Sequence, residues 1–262
     1  MSQPSHVPPS AHRPLPALID LLPPEEIAHL QEVWKRVPLQ EAQTLIWPNE
    51  PITHVYFPIS GIVSILSHGH DGEIVETGLV GREGLVGLPI FLGADTGPHQ
   101  AQVQVPGQAW RMPTDAFRAL AGEDGPLRTL RRLLLRYTQA RMVMTTQGVL
   151  CNRLHALDER CARWLLLVHD RVDGDTFFIT HEFIAIMLGV RRAGVTVAMG
   201  ALRRAGVLQY ERGEVTILDR DGLEAASCPC YRTIRRHFDQ ASGNPQPSSP
   251  SESDSTARRL LG

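Results

Sequence analysis

Lysine is nearly absent from this 262-residue chain: among 26 basic residues only Lys35 is lysine, so arginine carries almost all the positive charge. Arginine is the better bidentate partner for phosphate and guanine. Cysteine is scarce as well, four in all, with none before Cys151 and no pair in CxxC spacing. That usage fits reduced thiols better than a disulfide framework. No apolar run reaches membrane-spanning length, and no charged-then-apolar segment opens the chain. The expected compartment is the cytoplasm, and no membrane partner is expected.

What the chain does have is distributed unevenly. The net charge of −2 argues by itself against a nucleic-acid binder. Its placement argues the other way: residues 1–125 hold 6 Lys+Arg and 14 Asp+Glu, whereas residues 126–262 hold 20 and 14. An acidic front and a basic back suit a sensor joined to a DNA reader. With 42% hydrophobic residues the chain can bury a core and divide into two domains.

The most informative stretch is Thr180 to Gly206, THEFIAIMLGVRRAGVTVAMGALRRAG. Thr180 can cap a helix whose first turn carries Glu182, and Gly189 can take the left-handed conformation that ends it. A second helix is predicted from near Arg191 to Arg204. Ile184, Ala185, Leu188, Val190, Val195 and Ala198 fall where the two helices would face each other. Val207–Tyr210, a turn at Gly213 and Val215–Leu218 read as a two-stranded wing. The composite is a winged helix-turn-helix with Arg191 and Arg192 opening the helix that enters a major groove. The candidate DNA-contacting residues are Thr180, His181, Arg191, Arg192, Ala193, Thr196, Val197 and Arg203. The simpler alternative is an αα-hairpin in a core with solvated arginines; the wing and the basic helix start favour the DNA reader.

In chain order, residues 1–16 are Pro/Ser/His-rich and read as a disordered tail. Ala17–Val37 reads as one helix. From Leu39 to Met112 short β-type runs alternate with glycine, namely Thr44–Trp47, His54–Phe57, Ile62–Leu66, Ile74–Thr77 and Gln102–Val105, with a hairpin at Asp71-Gly72. This predicts an antiparallel roll over residues 17–125, ended by a short helix from Thr114. Pro126 opens a long helix to about Arg153. Along it Leu127, Leu130, Leu134, Tyr137, Arg141 and Met144, then Gly148 and Cys151, alternate by three and four, a seam assigned to dimerisation. The alternative is that this stripe packs on the chain's own roll. Residues 154–240 hold the DNA-reading domain, with a helix from His155 to Val172 and another after Asp221 interrupted near Pro229. Residues 241–262 read as a second disordered tail. The fold class is therefore α+β: a β-roll, a long helix and a winged helix-turn-helix.

This order of elements resembles the Crp/Fnr family of bacterial transcription regulators, over roughly residues 17–240. The resemblance is most specific at ITHEFIAIMLGVRR and GLVGREGLVGLPIFLG, with HVYFPISGIVSIL and CNRLHALDERCARWLLLVHDRV similar to one branch. It implies a cyclic-nucleotide-binding-like jelly roll as sensor, a homodimer on a palindromic operator, and contact with RNA polymerase. Members that bind cyclic AMP hold it with a Gly-Glu pair and an Arg-Ser pair, an acceptor for ribose and a clamp on phosphate. Here Leu88 follows Gly87, and His99-Gln100 stand in place of Arg-Ser, so cyclic AMP is not expected as a cofactor. Gly84, Gly87, Leu88, His99 and Gln100 are the candidate pocket residues. The oxygen-sensing branch carries N-terminal cluster cysteines, which this chain lacks before Cys151.

The family's reading positions, often Arg, Glu and Arg, fall on Arg192, Ala193 and Val197. Ala193 cannot accept from cytosine, although Ala193 and Val197 could meet thymine methyls. Cys228, Cys230, Cys151 and Cys161 are read as small residues filling helix packing, with a thiol or metal site as the alternative. A rival function is a cupin-like metalloenzyme using His68 and His70 with Glu73 or Glu76. A third is a winged helix used only for protein contacts. The apolar run Phe183–Leu188 is covered either by Trp164 and Leu167 of the preceding helix or, in one state of a dimer, by docking on the β-roll, with Ile186 as the residue to test.

Overall fold

The computed structural model describes Leu15 and residues 17–243. The remaining stretches assigned to the two tails lie outside these residues. The chain enters through a single 3-10 turn at Ile19–Leu21 and helix α1 (Pro24–Gln31), which starts on Pro24 with Glu25 and Glu26 in its first turn, an arrangement suited to a helix N-terminus. The expected helix to Val37 stops short. Residues Lys35–Leu39 form strand β1 instead, paired antiparallel with the far end of β5 (Gln100–Pro113). Trp34 stacks on Trp110 with ring centroids 4.5 Å apart, pulling this segment onto the sheet. Tertiary pairing has overridden a helical-looking local pattern.

The roll is a five-stranded sheet in the order β1, β5, β3 (His54–His68) and β4 (Ile74–Val80), with β2 (Thr44–Ile46) also on β5. The two runs expected as separate strands, His54–Phe57 and Ile62–Leu66, are one 15-residue strand, β3 (His54–His68). Its register against β5 (Gln100–Pro113) shifts between Pro58 and Val63. Gly61 sits in this irregularity at φ 81°, where an added Cβ would lie 2.5 Å from the Val105 carbonyl oxygen. Only glycine fits such a bulge, so the strand bends without ending. The hairpin at Asp71-Gly72 leads to β4 (Ile74–Val80). One-turn helix α2 (Leu88–Phe91) and helix α3 (Thr114–Ala121) close the roll.

Helix α4 (Arg128–Leu154) then runs for 27 residues. Its start is fixed from a distance: the Glu26 carboxylate accepts from the Thr129 and Leu130 amides at 2.6 and 2.9 Å. A carboxylate here satisfies two orphan amides and meets the positive end of the helix dipole. The stripe assigned to dimerisation is instead intramolecular. Leu127, Leu130, Leu134, Tyr137 and Met144 are buried within the chain, and Arg141 donates from Nη1 to the Leu79 carbonyl at 2.9 Å. The long helix packs this face on its own roll and on the C-terminal helix. A second apolar face is left outside: Leu135, Met142 and Val149 are 53%, 62% and 70% exposed. These three recur every seven residues, the period of a coiled-coil seam.

Helix α5 (Leu157–His169) is followed by β6 (Thr176–Phe178), α6 (His181–Leu188), α7 (Arg192–Arg204), β7 (Leu208–Glu211) and β8 (Glu214–Ile217). The wing sheet has three strands, in the order β6-β8-β7, one more than the sequence reading expected. Helices α8 (Arg220–Ala226) and α9 (Cys230–Ala241) complete the fold, α9 lying along α4 with Phe238 edge-on to Tyr137. Among the described residues no single helix is long and apolar enough to cross a membrane.

A buried ion pair locks the two halves together. Arg171, fully buried, donates from Nε to Glu83 of the roll at 2.8 Å. Within the DNA-binding half, Asp170 accepts from Arg220 and Arg235, both at 2.7 Å, and from the Tyr231 hydroxyl at 3.1 Å. Helix α6 lies against β4, so part of it does dock on the roll. The contact runs past Gly189, where an added Cβ would lie 3.7 Å from the Val75 side chain. Ile186 does not take part as expected; it is 37% exposed.

Candidate nucleic-acid interface and sensor pocket

The DNA-facing surface is built from local signals. Thr180 caps α6 by accepting from the Phe183 amide at 3.2 Å, and Gly189 ends it at φ 62°. Arg160 then donates to the Leu188 carbonyl at 2.6 Å, satisfying the helix end. The chain turns through 108° into α7, within the range of a helix-turn-helix. Ile184, Ala185, Leu188, Val195 and Ala198 are buried between and behind the two helices. Their burial turns Arg191, Arg192, Ala193, Thr196, Val197 and Arg203 outward.

Arg191 is the N-cap residue of α7 and Arg192 its first helical residue, so both stand at the end of the helix that meets base edges in a major groove. Arg192 is held only loosely, its Nε 4.0 Å from Glu182 with both side chains well exposed. Val197 is 70% exposed, an apolar side chain on the outer face of α7. His181 sits at the centre of the motif. It stacks on Tyr210 of the wing at 4.3 Å, and its Nδ1 lies 3.1 Å from the Thr196 hydroxyl. Burial, then the nearby Arg192, holds its pKa below the usual histidine value. His181 is thus a brace between α6, α7 and β7, a role the sequence reading did not give it. The wing turns on Arg212 and Gly213, at φ 51° and 90°, the paired positive φ of a tight hairpin.

In the roll, a pocket of about 740 Å³, mouth included, opens between α2, β5 and α4. Gly87, Leu88, His99 and Gln100 line it as expected, among apolar neighbours. Gly84 does not; it faces the Tyr137 ring of α4 too closely for any Cβ. The residue that sequence reasoning missed is Arg141. Placed in the dimer seam by its spacing, it reaches the pocket wall instead, lying over Gly78 and bonded to Leu79. The pocket therefore holds a cation, supplied from the long helix rather than from the roll. His99 lies 3.0 Å from the Ser67 hydroxyl, and burial followed by the Arg141 charge keeps its pKa low. Gln100 donates to Thr44 at 2.8 Å, and its Oε1 lies 2.8 Å from His68 Nε2.

That contact bears on the cupin-like alternative. His68 is engaged with Gln100, the Glu73 carboxylate accepts from the Asp71 amide at 3.1 Å, and Glu76 points inward. Among the described residues these do not form a group able to hold a metal ion. Glu76 accepts from the Trp164 indole of α5 at 2.9 Å and is half-buried. Of the cysteines, Cys161 stands apart, its Sγ 3.7 Å from Met199 Sδ, whereas Cys151, Cys228 and Cys230 meet.

Residues 36–124 match the cyclic nucleotide-binding domain, and residues 159–226 match the Crp-like helix-turn-helix domain. The two matches together span more than half of the chain. At the level of sequence alone, no curated protein matches. Several solved structures share the fold. FixK2 from Bradyrhizobium japonicum has a TM-score of 0.64 at 18% identity, over 75% of this chain and 98% of that one. A CRP/FNR-family transcriptional regulator from Thermus thermophilus has a TM-score of 0.58 at 19% identity, over 74% and 98%. The c-di-GMP-responsive global regulator CLP from Xanthomonas campestris has 0.58 at 18%, over 74% and 98%. A cyclic nucleotide-binding roll joined by a long helix to a Crp-like helix-turn-helix makes this chain a member of the Crp/Fnr family of transcription regulators.

Proposed function

We propose that the protein acts as a homodimer that binds a palindromic operator through paired α7 helices, under control of a small ligand or other signal read by the roll. The outward face of α7 carries the reading: Arg191 and Arg192 at its start, Ala193, Thr196 and Val197 behind them, and the wing beside them. The second copy is supported by the exposed heptad of Leu135, Met142 and Val149 on α4, because a parallel pair through this face would space two reading helices for successive major grooves, about 34 Å apart. A regulator seated so on a promoter would also meet RNA polymerase, as family membership suggests.

Cyclic AMP is not the signal in this reading. Leu88 offers no acceptor for a ribose hydroxyl, and Arg141 is already bonded to the Leu79 carbonyl. The pocket's apolar walls, with His99, Gln100 and Arg141 at one side, suit a ligand with an apolar body and one polar end.

Selection of bound fragments from random double-stranded DNA, repeated over a range of salt, tests the proposal. The expected product is an inverted repeat whose affinity falls steeply with salt. Recovery of no enriched sequence, with no salt-dependent binding, would favour a winged helix that contacts only protein.

A further inference from the structure

The end of α4 and the start of α9 meet at a cluster that the DNA-binding reading does not use. Cys151 lies in the last turn of α4 and His155 caps that helix. Cys228 lies in the short link before α9, and Cys230 is the first residue of α9. One donor atom from each of these four residues lies within 4.8 Å of all the others. Cys151 Sγ is 3.4 Å from Cys228 Sγ, and Cys230 Sγ is 3.6 Å from His155 Nδ1. The three sulfurs are buried and form a pocket of their own, separate from the main core, with His155 closing it from the half-exposed side.

We infer that Cys151, His155, Cys228 and Cys230 form a structural zinc site that staples the long helix α4 to the C-terminal helix. The distances fit the chemistry. A tetrahedral zinc ion with sulfur at about 2.3 Å and nitrogen at about 2.0–2.1 Å puts its donors roughly 3.6–3.8 Å apart. The observed 3.4 and 3.6 Å lie within a few tenths of that edge. Three thiolates and one imidazole fill four positions, which makes the site closed, as structural zinc sites are. The donor set is soft, which favours zinc over magnesium or calcium.

A second observation points the same way. Arg163 of α5 is buried, its Nε has no hydrogen-bond partner among the described residues, and its charge bears on all three sulfurs. A buried guanidinium calls for a nearby anion. Three thiolates with one divalent ion carry a net charge of −1, which answers it. Neutral thiols would not. Binding would release the three thiol protons to solvent.

A Cys151–Cys228 disulfide is the nearest competitor. It would bring two sulfurs to about 2.05 Å, use half the cluster and leave Cys230 and His155 without a task. An iron–sulfur cluster needs its donors spread around several metal atoms, not gathered about one point.

The test uses full-length protein, carrying no histidine tag, purified under reducing conditions. Metal analysis is expected to find one zinc per chain, and Co²⁺ exchanged into the site should give sulfur-to-metal charge-transfer absorption and tetrahedral ligand-field bands. Cys228→Ser, Cys230→Ser and His155→Ala should each weaken zinc binding, measured by competition with a chromogenic chelator. The loss should exceed the roughly 10–100-fold that removal of an outer-shell partner costs. Cys161→Ser, altered at a buried cysteine outside the cluster, should keep the full zinc content. His155 is half-exposed, so its variant keeps a readout if a cysteine variant does not fold. Folded wild-type protein that stays metal-free after equilibration with micromolar Zn²⁺ would overturn the inference. So would a Cys151–Cys228 disulfide in protein taken from cells, or iron with acid-labile sulfide. None of these measurements involves DNA, so the site stands or falls apart from the regulator reading.

Discussion

Trp164 of the DNA-binding half donates its indole N–H to the half-buried Glu76 carboxylate of the roll at 2.9 Å. Desolvation raises its pKa to about 7, against the opposing pull of Trp164, Ser64 on β3, Arg163 on α5 and Arg141 on α4. The hydrogen bonding agrees with a neutral acid. Ser64 Oγ lies 2.9 Å from Glu76 Oε2 and 2.7 Å from Gln104 Oε1, and one hydroxyl proton cannot serve both. A protonated Glu76 can donate to Ser64, which then donates to Gln104.

The sign of the pH dependence follows. Between about 4.5 and about 7 the unfolded chain loses this proton while the folded chain keeps it, so stability falls as pH rises through that window. Glu76→Gln should remove this slope and stabilise the protein above neutral pH by on the order of 3 kcal/mol at most. Thermal unfolding of both proteins at pH 5 and pH 8 checks it; an equal difference at the two pH values would refute the neutral acid.

Arg192→Ala should cost about 1–3 kcal/mol on the selected operator and relax preference at one base pair per half-site. Arg191→Ala should weaken operator and random DNA alike and flatten the salt slope. The two variants are compared by titration on both DNAs; identical behaviour would argue that neither arginine reads a base.

Met142→Glu with Val149→Glu should yield a folded monomer that loses operator binding. Leu130→Glu with Leu134→Glu should instead unfold the chain, since both leucines are buried within it and a buried unpaired charge is costly. Sedimentation and circular dichroism separate the outcomes. A folded monomer from the leucine pair would show that the inner face is the dimer seam after all.

Asp170→Ala removes the shared acceptor of Arg220, Arg235 and Tyr231. Breaking such a buried charge cluster by removing one partner costs roughly 3–5 kcal/mol. Chemical denaturation should show a loss of this size, and a change under about 1 kcal/mol would mean that the network is already solvated.

The helix-turn-helix was legible because its determinants are local: the Thr180 cap, the Gly189 turn and the apolar spacing between them lie within a few residues. The inner stripe of α4 was assigned to a dimer, and is buried within the chain instead, for a physical reason. Helix α4 carries two apolar stripes, and periodicity reports that a stripe is buried without saying by whom. Arg141 in the inner stripe was the available clue, since a charge at that position fitted the wall of a pocket better than a seam. Strand β1 was hidden because Lys35, Arg36 and Pro38 read as a helix end. The cysteine cluster joins positions 77 residues apart, beyond any spacing rule. Cys161, nearer to Cys151 in sequence, was the wrong companion.

The cap that Glu26 places on α4 also sets an order of events in making the protein. Its acceptor oxygens belong to a helix finished early, and the amides they serve lie 103 residues later in the chain. At roughly 5–20 residues per second, α1 must wait roughly 5–20 s on the ribosome before α4 can be started in its native place. Strand β1 is in the same position, since Lys35 pairs with Arg111. The N-terminal segment is thus the first part synthesised and among the last to be seated: β1 must wait for the end of β5, and the Glu26 cap for Thr129 and Leu130 later still.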